Sequence, residues 1–494
     1  MSVNQINNIL IILSKTIIIL VIVILFNINS FGQQNNTLYF IHKIPQSGQL
    51  NPALYQNCKL QLGGIIMPLT GQILPPIYFN YGNNAFAYKH AIYHGEGTLS
   101  DSLITAFNSI ADGNKFVDRF RDVNVLSFEN NYDIFFAGYT YEKYYFSFTI
   151  TEKIYARISF PGDIIRFAWE LNGKSFLGND INLSNIGINA AHYREYAFGT
   201  ARQINEKLNV GVRAKVLFGK SNVWTKKNDL TWHTDEDDFT YTLKSDIEIK
   251  ASQPAIEVQE LYYDTENDSL VITTEELDFD PIDYLLNDKN LGFGIDLGAS
   301  YLLNNEFSFY ASIIDLGYIK WTDNVSDFKE NGEFVFQGTD AIKLVDKNDT
   351  SDIEETYTDS LLQIFKIQHN SNAYNAFLPA KIYLGATYFI RNEINFGILL
   401  RGEIYQRKLH ASTTLSVNTN LSRCFSASLS YSIINNSYNN LGLGIVLKGG
   451  PFQFYILNDN VLGMVFPQIT QNVNFRFGIN WRFKCNIENN SLIE

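Results

Sequence analysis

The chain has 494 residues, 46% apolar and 14% aromatic, with a charged fraction of 18% and a formal net charge of −13. That is ample for one large barrel or two to three ordinary domains, and the acidic balance argues against nucleic acid, whose phosphates need a basic face. Cys58, Cys424 and Cys485 cannot all pair and lie far apart in sequence, so they read as isolated thiols, with neither a disulfide framework nor a metal-type spacing.

Residues 1–32 read as a secretory signal. Lys15 precedes the apolar run Ile17 to Phe26, and Ser30 and Gly32 supply small residues before Gln33. Ser14, Lys15 and Thr16 interrupt the alternative, a membrane anchor over Ile9 to Phe26, leaving about half of the roughly 20 residues a span needs. Nothing after residue 33 is apolar enough for a transmembrane helix. A mature chain held in a membrane would therefore have to be a closed barrel.

Residues 33–58 precede the first strand and contain Asn51-Pro52-Ala53. Residues 99–121 read as helical, with Leu103, Ile104, Phe107 and Ile110 at helical spacing, and Pro161 to Leu171 as a short helix. Elsewhere alternation of period two dominates. Leu208, Val210, Val212, Ala214, Val216 and Phe218 share one face between Lys207 and Gly219. The pattern recurs in Leu291 to Leu303, Glu393 to Ile404, Phe425 to Tyr431, and Asn474 to Phe483. These runs approach the 9–11 residues of a tilted membrane strand rather than the five or six of a globular one.

Joins also segregate. Asn304-Asn305, Arg391-Asn392, Asn420 to Ser422 and Gly449 to Pro451 are short. Ser221 to Lys289, Lys320 to Asn375, Gln406 to Ala411, Ile433 to Asn440 and Asn458 to Val473 are longer and fall at the opposite end. Outer-membrane barrels have short periplasmic turns and long extracellular loops. The expectation is an all-β transmembrane antiparallel barrel, residues 59–483, facing outer-membrane lipid. Candidate segments number about 16; 14 strands are expected, with 16 the alternative, because single-chain barrels have even counts. Inserts 221–289 and 320–375 are acidic and extracellular in this reading, and 484–494 form a periplasmic tail.

The Asn51-Pro52-Ala53 element, together with Tyr193 to Gly199 followed by Lys207 to Gly211, resembles outer-membrane proteins related to the long-chain fatty-acid transporters. More narrowly, Ile313 to Gly317, Leu378 to Ile382 and Gly449 to Gln453 resemble a large uncharacterised family of Bacteroidetes outer-membrane proteins. The resemblance implies a 14-stranded barrel with its N-terminal segment, 33–58, inside the lumen as a plug that includes Asn51, Pro52 and Ala53. The long acidic inserts and the tail depart from the transporters, and no ligand-binding position carries over.

Chemistry-bearing constellations are sparse. His90 and His94 have no nearby third ligand and read as a polar loop. Asp264, Glu266 and Asp268, like Asp235 to Asp238, lack the glycine of a calcium turn and read as solvated acid. No nucleophile elbow, phosphate loop or zinc-peptidase motif occurs, so neither an enzyme nor a cofactor is expected. Arg213, Lys215, Arg401, Glu403, Arg476 and Arg482 fall on the polar faces of strands and are candidates for lining the lumen. There they would pair with one another and with the plug, because unpaired charge in a narrow lumen is costly. The functions in view are passive transport of a small hydrophobic molecule and, as the alternative, a structural barrel docking an envelope protein of a secretion or gliding apparatus. A non-specific channel comes third, because of the plug.

Overall fold

The computed structural model describes residues 35–55, 58–64, 76–95, 100–170, 174–253, 256–264, 269–276, 280–336, 368–391, 393–405, 408–434 and 437–485. Residues 1–32, read from the sequence as a secretory signal, the acidic stretch 349–355 and the end of the tail lie outside them. Among the described residues no helix is long and apolar enough to cross a membrane.

The period-two segments form a closed antiparallel barrel of 14 strands. Its first strand, β1, comes in two collinear pieces, Cys58–Gly64 and Ile77–Asn83. Both pieces pair with β2 (Asn124–Tyr141) on one side and with the last strand, β14 (Asn472–Cys485), on the other. Between them, in order, run β3 (Tyr144–Phe160), β4 (Gly187–Gln203), β5 (Leu208–Thr234), β6 (Asn290–Leu302), β7 (Phe307–Trp321), β8 (Lys381–Arg391), β9 (Ile394–Tyr405), β10 (Lys408–Thr419), β11 (Phe425–Ile434), β12 (Ser437–Gly449) and β13 (Phe452–Asn458). Closure leaves no free edge in the wall, which is why long strands are tolerated. The two pieces of β1 count as one strand, which ends at Asn83, so the count is the expected 14 rather than the alternative 16.

Alternation dictates the radial order. Phe198, Leu297, Phe309, Leu384, Leu415, Leu429 and Phe454 point outward and are exposed. Ser412, Thr414, Ser416, Ser426, Ser428 and Ser430 point inward and are buried. At one end the joins are short; at the other they are mostly long. Two joins at the long end depart from expectation. β9 ends at Tyr405 and β10 starts at Lys408, while β11 ends at Ile434 and β12 starts at Ser437. The polar residues there read as loop because strand tips beyond an apolar belt need no apolar face.

The inserts are also less irregular than their composition suggests. β5 continues to Thr234 and pairs with Tyr241–Ser252, which pairs in turn with Val325–Phe336. These strands carry the wall upward as a sheet. The helix-like stretch 99–121 resolves into strand Leu103–Thr105, a single turn at Ala106–Asn108 and helix α1, Ile110–Val117. Helix α2 spans Gly162–Glu170. Trp169 of α2 donates from Nε1 to Asn114 Oδ1 of α1 at 2.8 Å, joining the two helices.

The cysteine reading is overturned. Cys58 and Cys485 form a disulfide across a sequence separation of 427, and only Cys424 is free. The two cysteines are direct register partners on β1 and β14. Spacing along the chain carries no trace of this, because barrel closure is what brings the first and last strands together. The tail accordingly starts after Cys485, since Lys484 and Cys485 belong to β14.

Candidate functional site

The interior is filled, and it is built in layers. Residues 35–55 thread the lumen as the short helix Asn36–Phe40 and a single turn at Pro45–Gln49. Leu38, Tyr39, Phe40, Ile41, Ile44, Leu50 and Leu54 bury against Tyr310, Ile314, Tyr383, Leu399, Val446, Tyr455 and Leu457 of the wall. Tyr39 stacks on Tyr383 with ring centroids 5.4 Å apart. A segment this short cannot fold alone; it is held by hydrogen bonds to the wall. Thr37 N donates to Asp459 Oδ1 at 2.7 Å, Gln46 and Asn480 exchange amide bonds at 2.9 and 3.0 Å, and Ser312 Oγ donates to Leu50 O at 2.7 Å.

Asn51, Pro52 and Ala53 form the tightest approach. Asn51 is fully buried. Its Oδ1 accepts from Ala53 N at 3.0 Å, and its Nδ2 donates to Ala299 O at 3.2 Å. Pro52 lies directly against Gly211 and Gly298, where a Cβ would overlap the Asn51-Pro52 backbone or side chain. Glycine is needed at these two wall positions because the plug backbone touches the wall backbone.

Climbing β5 from its short-turn end shows the layering. Gly211 meets Pro52, Arg213 and Lys215 enter an ionic layer, and Leu217 enters a second apolar layer with Tyr193, Trp321 and Tyr374. Arg213 pairs with Asp296 at 3.0 Å and Glu195 at 3.2 Å, and Lys215 with Asp296 and Asp315, both at 2.7 Å. Lys153 reaches Glu195 at 2.7 Å, and Lys381 joins at 3.6 Å from Glu129 and 3.8 Å from Asp315. Four cations thus face four carboxylates, so the layer is neutral.

Arg401 and Glu403 pair at 2.8 Å, and Arg157 closes on Glu403. Arg476 lies apart, its guanidinium carbon 4.9 Å from the Tyr78 ring centroid. Arg482 lies apart too, near the short-turn end, with Nη2 donating to Cys58 Sγ at 3.1 Å. The six candidates therefore divide into one cluster (Arg213, Lys215), one pair (Arg401, Glu403) and two separate arginines.

Sequence reasoning missed the carboxylates that hold these cations: Glu195, Asp296 and above all Asp315. Asp315 has φ of +60° and sits at a bulge where β7 slips register against β6 between Ile295 and Leu297. Its N–H donates to Asp296 Oδ1 at 2.8 Å, which offsets part of the cost of left-handed backbone in a non-glycine residue. A signal was present in the sequence. The outward residues of β7 run Phe307, Phe309, then Leu316, Tyr318, so the alternation changes phase across Asp315.

Cavities within the filling are small: about 40 Å³ beside Phe40, His42 and Tyr310, and about 20 Å³ between Lys153, Asp315 and Lys381. His42, on the plug, is half-buried with its ring 4.9 Å from that of Tyr310. Burial pushes its pKa down from 6.5 to about 4, partly opposed by a hydrogen bond to the Tyr39 backbone. The unfolded chain binds a proton here as pH falls through 6.5, while the folded protein resists until about 4. Stability should therefore fall as pH drops through that window, by about 3 kcal/mol from this group. Urea midpoints at about pH 7 and about pH 4.5, compared between the native chain and His42→Phe, check this. Equal pH dependence in the two would remove His42 as a contributor.

Elsewhere the sequence candidates are structural. His90 Nδ1 accepts from Ala87 N at 3.1 Å, while His94 ends a separate short strand. Asp235 Oδ1 accepts from Asp237 N and Asp238 N in an exposed turn. Asp268 and its neighbours at 265–267 lie outside the described residues. Among the described residues no group of His, Cys, Asp or Glu is arranged to hold a metal ion.

No curated protein matches the chain. Among solved structures, the toluene transporter TbuX of Ralstonia pickettii shares 8% identity, covering 89% of this chain and 94% of that one, with a TM-score of 0.37. A Pseudomonas aeruginosa FadL homologue shares 9%, covering 93% and 100%, at 0.37, and the Pseudomonas putida toluene transporter TodX shares 9%, covering 90% and 95%, at 0.34. Likeness this distant leaves the fold resting on the strand pairing itself. The model of a family of unknown function, DUF5723, matches residues 65–459, from the interruption of β1 to the start of the loop after β13. The chain belongs to the DUF5723 family.

Proposed function

We propose that the chain is an outer-membrane barrel that passes small hydrophobic molecules through a plugged lumen. The membrane part of the reading is supported by the exterior. Outward side chains such as Phe198, Phe293, Leu384, Leu415 and Leu429 are 55%, 51%, 51%, 54% and 49% exposed, and together they form a belt far larger than a soluble surface carries. A wall apolar outside and polar inside is the arrangement lipid requires. In this orientation the short-turn end is periplasmic.

The observation that carries the transport reading is the interruption of β1. Gly64 pairs with Phe135 and Ile77 with Tyr132, and Pro76 O accepts from Asp133 N at 3.1 Å, so only Asp133 and Ile134 of β2 separate two register partners that β1 holds far apart in sequence. Plug, ionic layer and upper apolar layer fill the lumen, and the cavities among them are water-sized. A polar solute would have to displace charge pairs, whereas an apolar one can leave sideways into the bilayer at the break.

The test is uptake. Reconstituted vesicles should take up a labelled medium-chain fatty acid or a small aromatic hydrocarbon faster than empty vesicles, with no matching gain for glucose. Equal gains for both would indicate an open pore. No gain for either, with co-purification of an envelope protein, would favour a docking role.

A further inference from the structure

On β3 the even-numbered residues face outward, and Phe146, Phe148 and Ile158 are exposed accordingly. Glu152 shares their face yet is 6% exposed. It sits beside His192 and Arg194 on the outward face of β4: Arg194 Nε lies 2.6 Å from Glu152 Oε2, and His192 Nε2 lies 2.8 Å from Glu152 Oε1. A bulge in β5, where His192 pairs with Ser221 but Tyr193 with Gly219, inserts Lys220 next to them. Charge on the outer wall of a membrane barrel is costly unless it is paired and covered.

The cover is helix α3, Pro281–Leu286. Tyr284 Oη lies 2.6 Å from His192 Nδ1, and Lys220 Nζ donates to the carbonyl of Asn287, the residue that ends the helix. With Tyr284 turned to the wall, Ile282, Leu285 and Leu286 face away from it, 66%, 41% and 64% exposed. Water gains nothing from three such side chains. The chain then enters β6 at Asn290, whose outward Leu291 and Phe293 are 40% and 51% exposed. The exposed face of α3 thus stands within about 17 Å of chain, at 3.3 Å per residue, of the first residue of the apolar belt.

We infer that α3 is a membrane foot. Its Ile282, Leu285 and Leu286 sit in the outer leaflet at the upper edge of the belt, and its Tyr284 and Asn287 seal the Glu152–His192–Arg194–Lys220 cluster from the acyl chains. The partner is the bilayer itself, and the foot ties the long 221–289 insert to the membrane surface. The inference rests on the membrane reading above, and its test separates the two.

An environment-sensitive dye is attached to Leu285→Cys in a Cys424→Ser background, with Phe293→Cys as the belt reference and Phe239→Cys, at an exposed turn (58%), as the solvent reference. The intact protein is reconstituted in vesicles of brominated phosphatidylcholine. The dye at 285 should be quenched at least twofold more by bromolipid than the dye at 239, and should resist aqueous iodide. If 285 behaves as 239 while 293 is quenched, the foot is wrong and the barrel stands. If 293 also escapes bromolipid, both readings fall. Tyr284→Ala in the Leu285→Cys protein should halve the bromolipid quenching at 285, and unchanged quenching would mean that the wall cluster does not hold the helix.

Discussion

Lys215→Met should lower stability by about 3–5 kcal/mol, the cost of removing one partner from a buried ion pair. Lys215 is 3% exposed and touches Asp296, Asp315 and Glu195. Methionine keeps an unbranched chain of similar volume, one atom shorter, so packing changes little, but one negative charge of the layer goes uncompensated. Lys244, paired with Glu333 at 3.4 Å with side chains 63% and 53% exposed, is the control. Lys244→Met should change stability by less than about 1 kcal/mol. Urea unfolding in detergent, followed by tryptophan fluorescence, measures both. Equal midpoints for the two variants would mean that the ionic layer is plastic rather than structural. Adding Asp315→Asn to Lys215→Met should recover part of the loss, because it restores neutrality.

The layer also shows what the sequence could and could not disclose. The 3.3 Å rise and two-residue period of a strand are local, so Leu208 to Phe218 and Phe475 to Phe483 show their faces without any knowledge of neighbours. Closure and strand count followed from segment number, with 14 and 16 both open until β1 was found to be one strand in two pieces. The cations on the inward faces were legible because Arg213 and Lys215 alternate with Val212, Ala214 and Val216 and so fall on the opposite, polar face. Their partners were not, because Glu195, Asp296 and Asp315 come from β4, β6 and β7 and meet only when these neighbouring strands pair in register. Asp315 was hidden further by its bulge, which moves it to the inward face against the phase of Phe307 and Phe309. The outward cluster under α3 was masked the same way, since His192 and Arg194 read as ordinary polar positions of β4. Contacts between strands distant in sequence are set by register, and register is a property of the closed wall.

The disulfide is the extreme case, and its removal should have the other large effect. Cys58→Ser or Cys485→Ser frees a loop with a sequence separation of 427. The chain-entropy relation puts the limit for such a loop at about 6 kcal/mol, and native disulfides commonly contribute 2–5, so a loss of about 4 kcal/mol is expected. Truncation after Cys485 should leave stability unchanged, whereas truncation after Phe483 should match Cys485→Ser, since it removes the same cysteine from the end of β14. A tryptic peptide joining Cys58 to Cys485, present only without reductant, establishes the bond directly. Absence of that peptide, together with unaltered urea midpoints in the serine variants, would refute it. The seam and the interruption of β1 then make opposite demands on the same strand. A covalent bond at the short-turn end fixes β1 to β14, while the register with β2 lapses farther up, where Gly64 and Ile77 are set against Phe135 and Tyr132. If solute leaves through the lapse, Cys58→Ser should weaken the barrel while uptake by folded protein is unchanged. If uptake instead rises severalfold once the bond is lost, the β1–β14 seam, and not the break, is where the wall parts.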